Sequence, residues 1–182
     1  MGFIFSKLYR GNTLSILVLK PWQAKRYSLV DEFFSSVVAG FRVLFKYANE
    51  YMVYHKITAA GRTFSVLEMH NHQSSDVFWD CVQNMHGVIY FIESLSSTTI
   101  KEVLARIDSI KVANQTAALL LVVISTAQAP EDYILFKKSV KYLLAERRYL
   151  IVDGHDQKHP HTQAPITKDA ICQGLSWILE EW

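Results

Sequence analysis

Five short apolar runs, each the length of a β-strand, most constrain what this chain can fold into. They span residues 15–19, 64–67, 88–92, 118–124 and 149–152. Most are apolar on both faces, which is typical of parallel strands in a sheet that is covered on both sides. The sequence therefore predicts an α/β domain with a largely parallel sheet.

Helical patterns lie between these runs. One begins at Val30, and a second follows the hydroxyl-rich segment Ser96–Thr99, whose side chains suit a helix N-terminus. A third extends from Pro130 to Leu144, and the last follows Pro165. Strands and helices in alternation predict a doubly wound domain.

Residues 51–57 and 62–67 interrupt this alternation. The short link Ala59-Ala60-Gly61 between them is typical of an antiparallel hairpin, so we expect a mixed sheet with one antiparallel edge strand. Ligands of open α/β sheets bind beyond the carboxyl ends of the strands. The loops expected there span residues 20–26, 68–76, 93–97, 125–130 and 153–165.

Composition narrows the class of protein. Half of the 182 residues are hydrophobic and 20% are charged, which favours one folded domain. A net charge of +2 without a dense basic cluster argues against a nucleic-acid partner. The two cysteines, Cys81 and Cys172, provide no disulfide framework and fit a reducing compartment. The longest apolar run, 117–124, is shorter than the ~20 residues of a membrane helix.

Four segments carry a resemblance to a known family. MGFIFSKL, QNMHGVIYFIES, LLLVVISTAQAP and GLSWI begin at residues 1, 83, 119 and 174. In order and spacing they resemble the ADP-ribosylation-factor branch of the small GTPases, the Arf and Arf-like proteins. The resemblance covers nearly the whole chain and is weakest between about residues 35 and 60.

The resemblance implies a specific architecture. Residues 14–182 would form a P-loop NTPase-like G domain with a six-stranded sheet. Residues 1–13 would form a short amphipathic helix or membrane anchor before it. The 51–67 hairpin would correspond to the family's interswitch.

The family's phosphate loop, G-x-x-x-x-G-K-[ST], is altered in this chain. Leu19 and Ala24 replace its glycines, Lys25 retains its lysine, and Arg26 replaces the hydroxyl that binds Mg²⁺. A Cβ at the glycine positions hinders close approach to phosphate, and arginine cannot ligate a metal. The degenerate loop comprises Leu19, Lys20, Pro21, Trp22, Gln23, Ala24, Lys25 and Arg26.

The second family motif, W-D-x-G-G-Q, corresponds to residues 67–72. Leu67 and Glu68 occupy the positions of the tryptophan and the aspartate. His70 or Asn71 replaces the glycine that meets the γ-phosphate, and His72 replaces the glutamine that orients water. A histidine can orient water, but without Mg²⁺ we do not expect it to support hydrolysis.

Guanine recognition is the third altered element. The N-K-x-D motif is replaced by Ser125, Thr126, Ala127 and Gln128, so the carboxylate that reads the base is missing. Residues 42–57 offer no match to the threonine of the family's first switch. We therefore expect no catalytic residue, no cofactor and no bound nucleotide. In place of a ligand we expect Glu68 to pair with Lys25 or Arg26, and Trp22 to fill part of the space.

These features predict a catalytically inactive Arf-like pseudo-GTPase that serves as a structural or interaction subunit of a membrane-associated complex. One alternative is an atypical switch that retains Lys25 and binds GTP or ATP weakly. Another is a metal-dependent hydrolase that uses the histidines of the 68–76 and 153–165 loops. We expect no metal site, because these loops would lie at opposite ends of the former nucleotide pocket.

The N-terminal segment matches the pattern for N-myristoylation at Gly2, M-G-x-x-x-[ST]. Aromatic and basic residues up to Arg10 would supply a second membrane signal or dock in a groove of the protein or of a partner. We expect association with the cytoplasmic face of a membrane. The first thirty residues contain no acid, which is also typical of an import signal, so a mitochondrial inner-membrane complex is the alternative.

Aromatic residues near the hairpin predict a surface for other protein subunits. Large aromatics on an exposed sheet edge are common at the centres of interfaces. We assign this role to Tyr47, Tyr51 and Tyr54. The spacing of Phe41 and Phe45 is typical of a helix face, and we place Phe41 in the core.

Overall fold

The computed structural model describes most of the predicted strands and the central helices. The described residues are 13–20, 30, 41–48, 52–59, 61–70, 76–123, 130–153, 173–174 and 177–178. The predicted N-terminal helix lies outside these residues, as do the histidine-containing segment 154–165 and most of the first and last predicted helices.

These ranges contain seven strands and three helices in an α/β arrangement. In chain order they are β1 Thr13–Lys20, β2 Arg42–Ala48, β3 Met52–Ala59, β4 Arg62–His70, α1 Asp76–Gln83, β5 Gly87–Ile92, α2 Thr99–Ala113, β6 Ala118–Val123, α3 Pro130–Leu143 and β7 Tyr149–Asp153. The five predicted apolar runs form β1, β4, β5, β6 and β7, and the predicted second and third helices are α2 and α3.

All seven strands form one mixed sheet in the order β2-β3-β4-β1-β5-β6-β7. Strand β1 pairs in parallel with β4 and β5, and β6 and β7 continue the parallel part. Strand β3 is antiparallel to both of its neighbours. The predicted hairpin is confirmed as β3–β4, whose turn includes Gly61 at a φ of 75°, a conformation that glycine adopts without strain.

The sheet differs from the expectation in two ways. It has seven strands among the described residues rather than six, because Arg42–Ala48 pairs with β3 along its length. The antiparallel strand is therefore second from the edge, and β2 is the edge strand. The helix-like spacing of Phe41 and Phe45 did not predict this strand.

Successive residues of β1 belong to two different core layers, because side chains of a strand alternate between the faces of its sheet. One layer contains Leu17 and Leu19 together with the buried sides of the three helices. The other contains Ile16 and Val18 and also includes Val30. Every residue of β5 and β6 is buried, which explains why these runs are apolar on both faces.

Local polar contacts fix the ends of the helices. Ser96 and Thr99 exchange hydrogen bonds at the start of α2, where each backbone N–H donates to the other's hydroxyl, at 2.9 and 3.2 Å. At the other end, the buried Asn114 amide donates to the carbonyls of Val82 and Met85 at 2.8 and 2.7 Å. Asn114 therefore fastens the loop after α2 to the end of α1.

Candidate functional site

Three ionisable side chains lie on the same face of the sheet as the apolar residues of one core layer. Lys20 follows Ile16 and Val18 at two-residue steps along β1, and Glu68 follows Val66 along β4. His55 lies on the neighbouring strand β3. All three residues are buried, with exposed fractions of 3% for Lys20, 0% for Glu68 and 0% for His55.

The Glu68 carboxylate is the centre of this buried ion cluster, which consists of Lys20, His55 and Glu68. The ammonium of Lys20 donates to Oε2 of Glu68. On the other side, Nε2 of His55 lies 3.5 Å from Oε1, and the backbone N–H of Val30 donates to Oε1 at 3.1 Å. Both carboxylate oxygens therefore have a partner, as a buried charge requires.

The surroundings keep Glu68 ionised. Burial by itself raises the pKa of this carboxyl, but the hydrogen bond with His55, the charge and hydrogen bond of Lys20, and the Val30 amide together lower the pKa to about 2. A carboxylate that is fully buried and this weakly basic is not suited to accept a proton from an external substrate near neutral pH. The cluster therefore has the character of an internal ion pair rather than of a catalytic acid–base group.

The cluster lies at the carboxyl ends of β1 and β4, the edge where α/β sheets bind ligands. Lys20 is the last residue of β1. Glu68 lies two residues before the end of β4 and is paired in register with Val18 of β1. At this edge, a lysine that would attract a phosphate is already neutralised by a protein carboxylate. The protein's own charges therefore satisfy one another at this position.

The predicted phosphate loop is described only at its first two residues. Leu19 is 1% exposed and packs in the core layer of the three helices, opposite to the layer of the ion cluster. The structure places Lys20 on Glu68. The predicted pairing of Glu68 with Lys25 or Arg26 stays a prediction, because both residues lie outside the described ranges. The rest of the predicted loop lies outside the described residues: Pro21, Trp22, Gln23, Ala24, Lys25 and Arg26.

The other predicted motifs are described only in part. The backbone of His70 ends β4, pairing with Lys20, and Met69 packs against the core. The remaining residues of these motifs and the predicted lipidation position lie outside the described ranges: Gly2, Asn71, His72, Ser125, Thr126, Ala127 and Gln128.

The three tyrosines predicted to form a partner surface differ in exposure. Tyr47 on β2 is 50% exposed, as the prediction requires. The prediction of an exposed side chain is wrong for Tyr54, which is only 8% exposed. Its hydroxyl forms a 3.1 Å hydrogen bond with the hydroxyl of Ser65. Tyr51 lies outside the described residues. Phe41 packs against the core layer that contains Val30, as expected, whereas Phe45 is exposed.

Sequence reasoning missed His55 and the role of Lys20. Lys20 was assigned only as a variable position of the degenerate loop. The signal that reveals it is the alternation along β1, because Lys20 lies two positions after Val18 and four after Ile16 and must face the same core layer. The same alternation applies to His55, which lies two positions before Ile57 of that core layer.

Across the part of the chain that the structure describes, no group of three or more histidine, cysteine, aspartate or glutamate residues is arranged to hold a metal ion. Within the same part, no helix combines the length and apolar character needed to cross a bilayer. No model of a known protein family matches the chain, and no curated protein shows significant similarity to it.

Proposed function

We propose that this protein is a catalytically inactive, Arf-like pseudo-GTPase that serves as a structural or protein-interaction subunit of a membrane-associated complex. The observation that carries the proposal is the buried Lys20–Glu68 pair at the carboxyl ends of β1 and β4. The altered phosphate, switch and base motifs support it from the sequence.

The electrostatics of the pair disfavour a nucleotide. A triphosphate needs cations that are free to neutralise it, but Lys20 is held by a carboxylate that remains ionised well below neutral pH. Bringing phosphate to this edge would place it near the buried negative charge of Glu68, which is unfavourable in a medium of low dielectric. Lys20 could contribute to binding only if the Lys20–Glu68 pair separated, which would remove one partner from a buried carboxylate.

The edge strand β2 supports a role in protein interactions. All seven of its residues are exposed, and Val43, Leu44, Phe45 and Tyr47 have exposed fractions between 43% and 55%. Within the described residues, β2 ends the sheet, so one edge of its backbone has no neighbouring strand. Long apolar edges of this kind invite pairing with another chain. We define residues 42–48 as the β2 surface and propose that a partner subunit covers it.

The positive charge of β2 and β3 indicates which side chains a partner should carry at this surface. Strand β2 carries Arg42 and Lys46, and the adjacent β3 carries Lys56, whereas neither strand contains an acidic residue. A partner segment with both apolar and acidic side chains would complement this surface. A second copy of the same strand would double the positive charge instead.

Release of bound nucleotide tests the proposal directly. The protein, purified without added nucleotide, is denatured and the supernatant is separated by anion-exchange chromatography. We expect no stoichiometric guanine or adenine nucleotide, whereas a conventional Arf-family GTPase processed in parallel should release about one equivalent. Stoichiometric GDP or GTP from this chain would overturn the proposal in favour of a nucleotide-binding switch.

Matched surface variants test the interaction role. F45E places a negative charge on the β2 surface, and V112E places one on α2, where Val112 is 71% exposed. Both variants should retain the circular dichroism spectrum of the native protein. We expect F45E, but not V112E, to lose its co-purifying partner subunits during native purification. If F45E retains them to the same extent as V112E, the β2 surface is not the interface.

A further inference from the structure

A second polar feature lies at the other end of the parallel strands, near the amino ends of β6 and β7. A cavity of about 410 Å³ is bounded by the last turns of α2 and α3 and by the turn that leads into β7. Its lining includes Lys111, Gln115, Tyr142, Glu146 and Arg147. A volume of this size is within the range of small-molecule sites in proteins.

Arg147 has the most unusual environment in this cavity wall. Its Nε donates to the carbonyl of Ala117 at 3.0 Å. Its Nη1 and Nη2 atoms are buried, yet they have no hydrogen-bond partner among the described residues. Burial lowers the pKa of Arg147, in keeping with a guanidinium that has left water without a counter-charge from the part of the chain that the structure describes. A buried, charged donor normally has such a partner, because leaving one unpaired is costly.

We propose that this cavity binds a small molecule through a phosphate or carboxylate group held by Arg147. The two Nη atoms of a guanidinium form a planar fork that matches two oxygens of either group. Lys111 supplies a second positive charge in the lining. Its Nζ donates to the carbonyl of Leu143 at 2.8 Å and has two further donors.

The backbone that holds Arg147 is fixed. Asn114 accepts a hydrogen bond from the N–H of Ala117 at 3.0 Å while its amide donates to Val82 and Met85. The Ala117 carbonyl that anchors Nε therefore belongs to a loop tied to α1. The turn before Arg147 is closed by a hydrogen bond from the Arg147 N–H to the Leu144 carbonyl at 2.9 Å, and its exposed residues Ala145 and Glu146 form the solvent side of the cavity lining.

Charge in the lining is mixed, and this provides a two-sided test. Lys111 and Arg147 favour an oxyanion, whereas the carboxylate of Glu146 opposes it. Removing a favourable charge and removing the unfavourable one should therefore change affinity in opposite directions. A purely structural role of Arg147 would not produce this pair of effects.

Thermal unfolding of the full-length protein in inorganic phosphate, with acetate in a second series, provides the measurement. Sodium chloride at equal ionic strength is the baseline. We expect a saturable rise in Tm for the wild type in at least one series, and the series that responds identifies the anion. R147M should weaken the apparent affinity at least tenfold, and E146Q should strengthen it several-fold. K101M, which changes an exposed lysine on α2, should match the wild type.

R147M is expected to fold, since replacing an uncompensated buried charge by an apolar chain is often neutral or stabilising. If R147M does not unfold cooperatively, K111M replaces it, with an expected several-fold loss of affinity. No rise in either series, or an equal rise in R147M or its replacement, would overturn the proposal. An E146Q variant that binds more weakly than the wild type would also overturn it.

Discussion

Lys20 and Glu68 stabilise each other as buried partners. Without the other, each would keep its charge with fewer partners in a layer that also contains Ile16, Val18 and Val66. The sequence shows the apolar neighbours and their two-residue step, but it does not show which cation meets Glu68. That pairing spans 48 positions of the chain and depends on β1 and β4 lying side by side.

Breaking the pair from one side should be far more harmful than removing both charges. K20M leaves the Glu68 carboxylate buried with fewer partners, and we expect it to lower the free energy of unfolding by about 3–5 kcal/mol. The double variant K20M/E68L, with two apolar side chains, should recover most of that loss. Urea unfolding of the two variants and the wild type measures the coupling.

The exposed Lys101 provides the control. K101M on the surface of α2 should change the free energy of unfolding by no more than about 0.5 kcal/mol. If K20M is as mild as K101M, or if the double variant is less stable than K20M, the pair does not have the role assigned to it.

The pKa of Glu68 predicts how the stability of the protein depends on pH. The pKa of Glu68 is about 2 in the folded protein, against 4.5 for a free glutamate side chain, so the unfolded chain binds more protons between these two pH values. The stabilisation by ionised Glu68 should therefore be complete above about pH 5 and decline as the pH falls toward 2. The shift corresponds to about 3 kcal/mol.

Comparison with E68Q isolates this contribution. The free energy of unfolding is measured for both proteins at several pH values from neutral into the acid range. We expect the advantage of the wild type over E68Q to shrink steadily in the acid range. An advantage that stays constant down to pH 3 would show that Glu68 is not the group whose ionisation stabilises the fold.

At the scale of elements, burial determines which strands the sequence reveals. Strands β5 and β6 lie inside the sheet with every side chain buried, so their apolar runs stand out clearly. Strand β2 mixes apolar residues with Arg42 and Lys46 and is exposed along its whole length, so it shows no inside–outside pattern. Its strand conformation comes from pairing with β3, which a linear pattern does not contain.

A substitution at Gly174 tests how closely the helical residues 173–174 pack on the sheet. A Cβ at this position would lie 2.7 and 2.9 Å from the two Cδ atoms of Leu120 and 3.3 Å from Val152. Leu120 is fully buried and has little room to move. We therefore expect G174A to lower the free energy of unfolding by about 1–3 kcal/mol, despite the higher helix propensity of alanine.

The neighbouring residue Gln173 is exposed and provides a matched control. Q173A should be nearly neutral in the same denaturant measurement. Trimming Leu120 to alanine should destabilise G174A less than it destabilises the wild type, because the smaller side chain relieves the overlap. A G174A protein as stable as Q173A would mean that the contact is looser than described.

At the scale of the whole molecule, the two edges of the sheet differ in how their buried charges are satisfied. At the carboxyl ends of β1 and β4, Lys20 and Glu68 neutralise each other. Near the amino ends of β6 and β7, the Nη atoms of Arg147 have no hydrogen-bond partner among the described residues. The sequence predicted the α/β class and the carboxyl edge as the place to examine. It gave no indication of the opposite edge, because the isolation of Arg147 depends on packing rather than on a motif.

The central claim is that the protein's own charges take the place of a nucleotide. It is tested most directly by thermal unfolding of R147M, which lacks the proposed anion site, in excess Mg·GTP and separately in excess Mg·ATP, a measurement that also detects weak binding. We predict no saturable increase in the Tm of R147M with either nucleotide. A saturable increase with GTP or ATP would contradict the claim.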